Sequence, residues 1–203
     1  MNFVAILLSY LIGSLSFGYM LGKMGRGIDV RQYGSGSVGS TNILRTLGPL
    51  PAVVIFLLDM AKGLAAVLLG SWLTGSPTMA MICGICAVLG HNWPVWFGLR
   101  GGRGIATSLG ILLAFNPTAF LVLLAYGIIV IFIFRYVSLA SVTGSALFPL
   151  AFWVFRNSAV LETNRNIILL SIILALLAFL RQKDNISRLL KGTERKIGER
   201  IRH

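Results

Sequence analysis

Negative charge is what this sequence lacks most: its 203 residues include six Asp and Glu, alongside two His and two Cys. Charged residues make up 12% and hydrophobic ones 56%, with a mean hydropathy of +0.84. A soluble domain carries about 25% charged residues to cover its surface, so a water-soluble globular fold is excluded. The shortage of His and carboxylate also limits the chemistry. The stretch His91-Asn92-Trp93-Pro94-Val95-Trp96 has no acid and no second ligand at metal-binding spacing, so neither a metal nor another cofactor is expected. His91 reads first as a packing or hydrogen-bonding residue. Cys83 and Cys86 are spaced C-x-x-C but lie inside the apolar run 79–89, so they read as small helix-packing residues rather than a redox pair. The G-x-x-x-x-G-K-[ST] phosphate loop is absent, and nucleotide hydrolysis has no support. No basic segment precedes the apolar run that starts at Phe3, and no small-residue cleavage site follows it. It reads as a retained span.

What the sequence has instead is long apolar runs. A helix needs about 20 apolar residues to cross the roughly 30 Å hydrocarbon layer. Runs near that length occupy 3–22, 50–73, 79–97, 118–134, 138–155 and 166–180, and a shorter one occupies 105–115. Most of the 18 Lys and Arg follow alternate runs. Lys23, Arg26, Arg31 and Arg45 follow the first, Arg100 and Arg103 the third, and Arg135 the run ending at 134. Arg181, Lys183, Arg188, Lys191, Arg195, Lys196, Arg200 and Arg202 follow the last. Basic loops stay on the cytoplasmic side, and all of these share that side only if the short run also crosses. The expectation is an all-α integral membrane protein, a seven-transmembrane-helix bundle with its N-terminus outside and its C-terminus cytoplasmic. It forms one domain over 1–203, with cytoplasmic loops 23–49, 98–104 and 135–137 and the tail 181–203. The net charge of +12 then serves topology and anionic lipid rather than nucleic acid.

Two of these loops carry phosphate-binding chemistry. The first reads Gly34-Ser35-Gly36-Ser37-Val38-Gly39-Ser40-Thr41-Asn42-Ile43-Leu44-Arg45. Glycines let backbone N–H groups turn toward an anion, hydroxyls add donors, and Arg45 falls one turn into a helix starting near Thr41. A flexible linker or a small-residue helix contact is the alternative for this stretch alone. The second runs from Gly90-His91 to Arg100-Gly101-Gly102-Arg103-Gly104-Ile105-Ala106-Thr107, with glycines and two arginines at the start of a helix whose positive dipole end faces the loop. Topology anchoring would also explain these arginines. Asp59 and Lys62, three apart in the second run, are expected to form an ion pair near its cytoplasmic end. The tail from Arg181 to Glu194 reads as an interfacial helix. An anion transporter is disfavoured by the absence of paired halves, and a non-catalytic lipid scaffold is the other rival.

These loops, with Arg135-Tyr136-Val137-Ser138-Leu139-Ala140-Ser141 and the segment from Asn185 to Glu194, resemble the PlsY family of bacterial acyl-phosphate-dependent glycerol-3-phosphate acyltransferases almost end to end. The resemblance implies transfer of a fatty acyl group from acyl phosphate to the primary hydroxyl of glycerol 3-phosphate, giving lysophosphatidic acid and phosphate, the first step of phospholipid synthesis. It implies an inner-membrane enzyme whose active site faces the cytoplasm, expected to be a monomer. Ser35, Arg45 and Asn185 match its catalytic positions. Gly34, Gly36, Gly39, Thr41, Asn42, His91, Arg100, Gly101, Gly102, Arg103, Gly104, Thr107, Ser138 and Gln182 are the expected substrate-binding set. The chain departs from the family pattern at Arg100 and Arg103, where lysine is usual, at Ser37 and Ser40, usually Asn and Ala, and at Gln182, usually His. Arginine keeps charge and phosphate affinity, whereas glutamine cannot act as a base.

Overall fold

Proline and glycine set the boundaries of the helices. A computed structural model describes residues 1–162 and 164–199; Thr163 and the last four residues, including the expected tail cations Arg200 and Arg202, lie outside the described residues. Within it, α1 (Asn2–Gly13) and α2 (Phe17–Arg26) are followed by the short α3 (Ser40–Thr46). α4 (Pro49–Thr74) and α5 (Pro77–Asn92) come next, each with proline in its first turn, where a missing N–H costs nothing. Gly75, at φ 64°, closes α4, and Ser76 Oγ accepts the Met79 N–H to cap α5. Then follow α6 (Ile105–Phe115), α7 (Pro117–Phe134), α8 (Val137–Val154), α9 (Arg165–Arg181) and α10 (Lys183–Leu190). Asn116 and Asn164 cap α7 and α9 through their side-chain oxygens.

Among the described residues, five helical stretches can cross a membrane by length and apolar composition, and up to six if α9 and α10, bent by 61°, count as one span; α6 is a shorter apolar helix. The expected first span over 3–22 falls within one apolar stretch, Asn2–Arg26, whose helix is interrupted at residues 14–16. The Ser14 hydroxyl donates back to Tyr10 O, and Leu15 O leaves the helical ladder to accept from Lys62 Nζ at 3.0 Å. The described residues form no strand.

Backbone contact at small residues holds the bundle together. A Cβ on Gly63 of α4 would stand 2.0 Å from Thr107 O of α6, and one on Gly110 of α6 would stand 1.9 Å from Met60 O of α4. Gly13 of α1 and Gly90 of α5 meet the partner helix's backbone at 2.1 and 2.2 Å in the same reciprocal way. Close backbone approach of this kind is how helices associate where lipid removes the hydrophobic drive. At one end of the bundle Phe115, Phe148 and Phe152 pack ring against ring. The outer surface is apolar too: Trp72 is 81% and Phe132 85% exposed, an arrangement suited to hydrocarbon rather than water. Two sets of hydrogen bonds fix where α6 runs. Its N-terminal approach is tied to α5 and α9 through Gly102, whose N–H bonds His91 O and whose carbonyl accepts from Arg181. Its far end is tied to the α8–α9 connection through Val160 N to Phe115 O and Asn116 Nδ2 to Phe155 O.

Candidate active site

The first glycine loop is organised by a buried asparagine. Asn42 Nδ2 donates to Val30 O, Tyr33 O and Ser37 O at 2.9, 3.1 and 2.8 Å, and its Oδ1 accepts the Ser35 N–H at 2.9 Å. One side chain thereby braces the loop at four backbone points; Val30 O and Tyr33 O also accept from Tyr33 N and Gly36 N. Gly34 and Gly36 take φ of 63° and 70°, which only glycine adopts freely. Asn42 thus spends its hydrogen-bonding capacity on shaping the loop.

The second loop has room for no side chain at its centre. A Cβ on Gly101 would stand 2.0 Å from His91 O, and one on Gly102 2.0 Å from His91 Nε2. Arg181 stacks on Trp93, 5.1 Å from the ring centroid, and bonds Gly102 O through Nε and Nη2 at 3.2 and 3.0 Å. Gly104 then starts α6.

The tail closes over both loops. Glu194 lies between two arginines, 3.0 Å from Arg45 Nη2 and 2.6 Å from Arg188 Nε, and Arg188 also donates to Asn185 Oδ1. Burial alone would raise the Glu194 carboxyl, but the hydrogen bonds from Arg188 and Arg45 outweigh it and hold it below its usual range. Arg103 has no such relief: burial, then the nearby Arg188 and Arg45 charges, press its guanidinium down to about 10 despite Glu194 and Asp184. A cation held this unfavourably gains from an arriving anion.

Between these segments lies a cavity of about 470 Å³, the size of a small-molecule site. Ser35, Gly39, Thr41, Asn42, Arg103, Gly104, Ser138, Gln182 and Asn185 line it together with His91. Its remaining wall is largely apolar, with Val53, Phe56, Leu124, Ile128, Phe148 and Leu174 from α4, α7, α8 and α9. Gln182 is fully buried; its Nε2 donates to Ser145 Oγ at 3.3 Å and Ser141 O at 3.4 Å. Gly34, Gly36, Gly101, Gly102 and Thr107 shape the backbone around the cavity without lining it, and Arg45 stands beside it on Glu194. Arg100 is the residue the fold leaves out: it is exposed and not among the lining residues, because the chain turns inward only at Gly101.

The glycerol-3-phosphate acyltransferase family profile matches residues 3–192. The glycerol-3-phosphate acyltransferase of Thermoanaerobacter pseudethanolicus is 48% identical over 194 residues, 96% of this chain and 94% of that one. The chain belongs to this acyltransferase family. A second member, from Thermosynechococcus vestitus, is 41% identical over 202 residues, with 95% of this chain and 93% of that one covered. Among solved structures, the integral membrane glycerol 3-phosphate acyltransferase PlsY (YgiH) in its glycerol 3-phosphate form superposes with a TM-score of 0.88 at 35% identity, covering 97% of this chain and 96% of that one. Its lysophosphatidic acid form gives 0.85 at the same identity, covering 97% and 95%. The fold is therefore an all-helical, multi-pass integral membrane fold like that of PlsY.

Beside the residues expected for this family, the structure adds some that the sequence reading left out of the site. Ser141 and Ser145 join Ser138 on the cavity wall, and their i, i+3 and i+7 spacing in an apolar helix was the signal available. Asp59 also lines the cavity, paired with Lys62 at 2.8 Å as expected, but the pair has a third member: Lys62 Nζ lies 2.7 Å from His91 Nδ1. His91 sits 29 positions away on another helix, so no local pattern could show it.

Proposed function

We propose that the chain transfers a fatty acyl group from acyl phosphate to the primary hydroxyl of glycerol 3-phosphate, giving lysophosphatidic acid and inorganic phosphate. The observation that carries this reading is the cavity itself: arginine, hydroxyl and glycine backbone at one part of its wall, largely apolar side chains over the rest. One substrate needs the first, and the acyl chain of the other needs the second. The glycerol hydroxyl oxygen attacks the acyl carbonyl carbon, the bond from that carbon to the phosphate oxygen breaks, and phosphate leaves with its electron pair. The hydroxyl proton passes to a phosphate oxygen, since Gln182 offers no base. Arg45, Arg103 and loop N–H groups hold the two phosphates, and Ser35 and Asn185 orient the reacting groups; this is catalysis by positioning and by stabilising developing negative charge. No cofactor or metal enters the scheme.

The same reading takes residues 1–203 as one membrane domain that crosses the bilayer seven times, with α6 as the fourth crossing. The bonds from Gly102 to α5 and α9 and from Phe115 and Asn116 to the α8–α9 connection support it, because they join α6 to opposite ends of the bundle. The glycine loops, Arg135 and the tail then share the cytoplasmic face of the bacterial inner membrane, with the chain as a monomer. The test is purified protein in detergent given acyl phosphate and glycerol 3-phosphate. Phosphate release that requires both substrates is expected, and no release would overturn the reading. A transporter or a lipid scaffold would release none.

A further inference from the structure

Asp59, Lys62 and His91 form a buried cluster to which the scheme above gives no task; they are 2%, 3% and 4% exposed. Ionisable groups inside a membrane bundle are costly to keep and usually serve a function. The Lys62 ammonium pairs with the Asp59 carboxylate, Nζ to Oδ1 2.8 Å, and donates to Leu15 O at 3.0 Å, and its Nζ lies 2.7 Å from His91 Nδ1. An ammonium carries hydrogens and no lone pair, so at 2.7 Å it can only donate to Nδ1. That nitrogen must then present its lone pair, and the single proton of a neutral imidazole must sit on Nε2. Nε2 is the atom pressed against Gly102, 2.0 Å from where a Cβ would stand, in a ring that lines the cavity with Arg103 and Gly104. Among the described residues, no hydrogen bond is made by Nε2. We propose that Lys62, held by Asp59, is a positioning residue that fixes the His91 tautomer, so that Nε2–H is a standing donor to a phosphate oxygen of glycerol 3-phosphate beside Arg103.

The donor's task rests on the proposed function, whereas the tautomer does not. The sequence holds two histidines, so ¹⁵N-histidine-labelled protein without a histidine tag, carrying His203→Gln, reports on His91 alone. Long-range ¹H–¹⁵N spectra at neutral pH should show Nδ1 unprotonated and Nε2 protonated, and saturating glycerol 3-phosphate should shift Nε2. In Lys62→Met the proton should move to Nδ1, facing Asp59 Oδ1 at 3.5 Å, and KM for glycerol 3-phosphate should rise about tenfold with kcat within about twofold. A wild-type ring protonated on Nδ1, or on both nitrogens, overturns the proposal, as does an unchanged tautomer in folded Lys62→Met. If that variant does not fold, the wild-type spectra decide: an Nε2 unmoved by saturating glycerol 3-phosphate overturns the donor. Absent phosphate release by the wild type would instead overturn the proposed function and leave the tautomer measurement standing.

Discussion

At the scale of single residues, side chains in this site divide into those offered to the cavity and those spent on holding it. Ser35 and Arg45 belong to the first group in the proposed scheme. Ser35→Ala and Arg45→Ala are each expected to cut turnover by at least about 10²-fold, measured as phosphate release, with the thermal midpoint little changed, because Glu194 keeps Arg188 as a partner. Asn42 belongs to the second. Asn42→Ala takes the partner from Ser37 O and from the Ser35 N–H and one of two donors from Val30 O and Tyr33 O, and should cost about 2 kcal/mol or more, read as a lower midpoint in detergent together with lost activity. Glu194 supplies a pH dependence of defined sign. Its folded pKa lies below the unfolded value, so its contribution is fully present above about pH 4.5 and is lost as pH falls through the folded pKa. Between pH 5 and pH 3 the wild-type midpoint should fall more steeply than that of Glu194→Gln.

At the scale of elements, the closest approaches are backbone to backbone, and they position the segments that line the cavity. α6 presents Gly104 and Ile105 to the cavity only because Gly63 and Gly110 let it lie directly against α4. Gly110→Ala or Gly63→Ala must push the two helices apart, since the obstructing atoms are main-chain carbonyls that cannot rotate away. A loss of about 1–3 kcal/mol is expected, seen as a lower thermal midpoint, and activity should fall with it because Arg103 and Gly104 move with α6. Gly25 of α2 has nothing within 4 Å of an added Cβ, does not line the cavity and serves as a control. The helices themselves were largely legible in the sequence. The expected runs 50–73, 118–134 and 138–155 end within a residue or two of α4, α7 and α8, because proline, asparagine and glycine caps are local signals. The break at residues 14–16 was not legible, because the Lys62 ammonium that captures Leu15 O belongs to another helix.

At the scale of the whole molecule, the open question is the path of the chain through the bilayer. In a background lacking Cys83 and Cys86, single cysteines at the exposed positions Met24, Asn157 and Lys191 can be probed with a membrane-impermeant maleimide. Seven crossings predict labelling of Asn157→Cys in intact spheroplasts, and of Met24→Cys and Lys191→Cys only after permeabilisation. Labelling of Lys191→Cys from outside would remove α6 from the crossings.

The sequence by itself determined the solvent this protein lives in, the helices and the glycine–arginine loops that wall the cavity, because hydropathy, turn residues and short motifs act over a few neighbouring positions. Only the tertiary structure decided which of those residues work together. Arg100 and Arg103 are three residues apart in equivalent company, yet one is exposed and the other lines the cavity. Arg45 meets Glu194 across 149 positions, and Asp59, Lys62 and His91 share one buried contact between two helices. Such pairings depend on how close the helix backbones come, and that is set by where both partners lack a side chain.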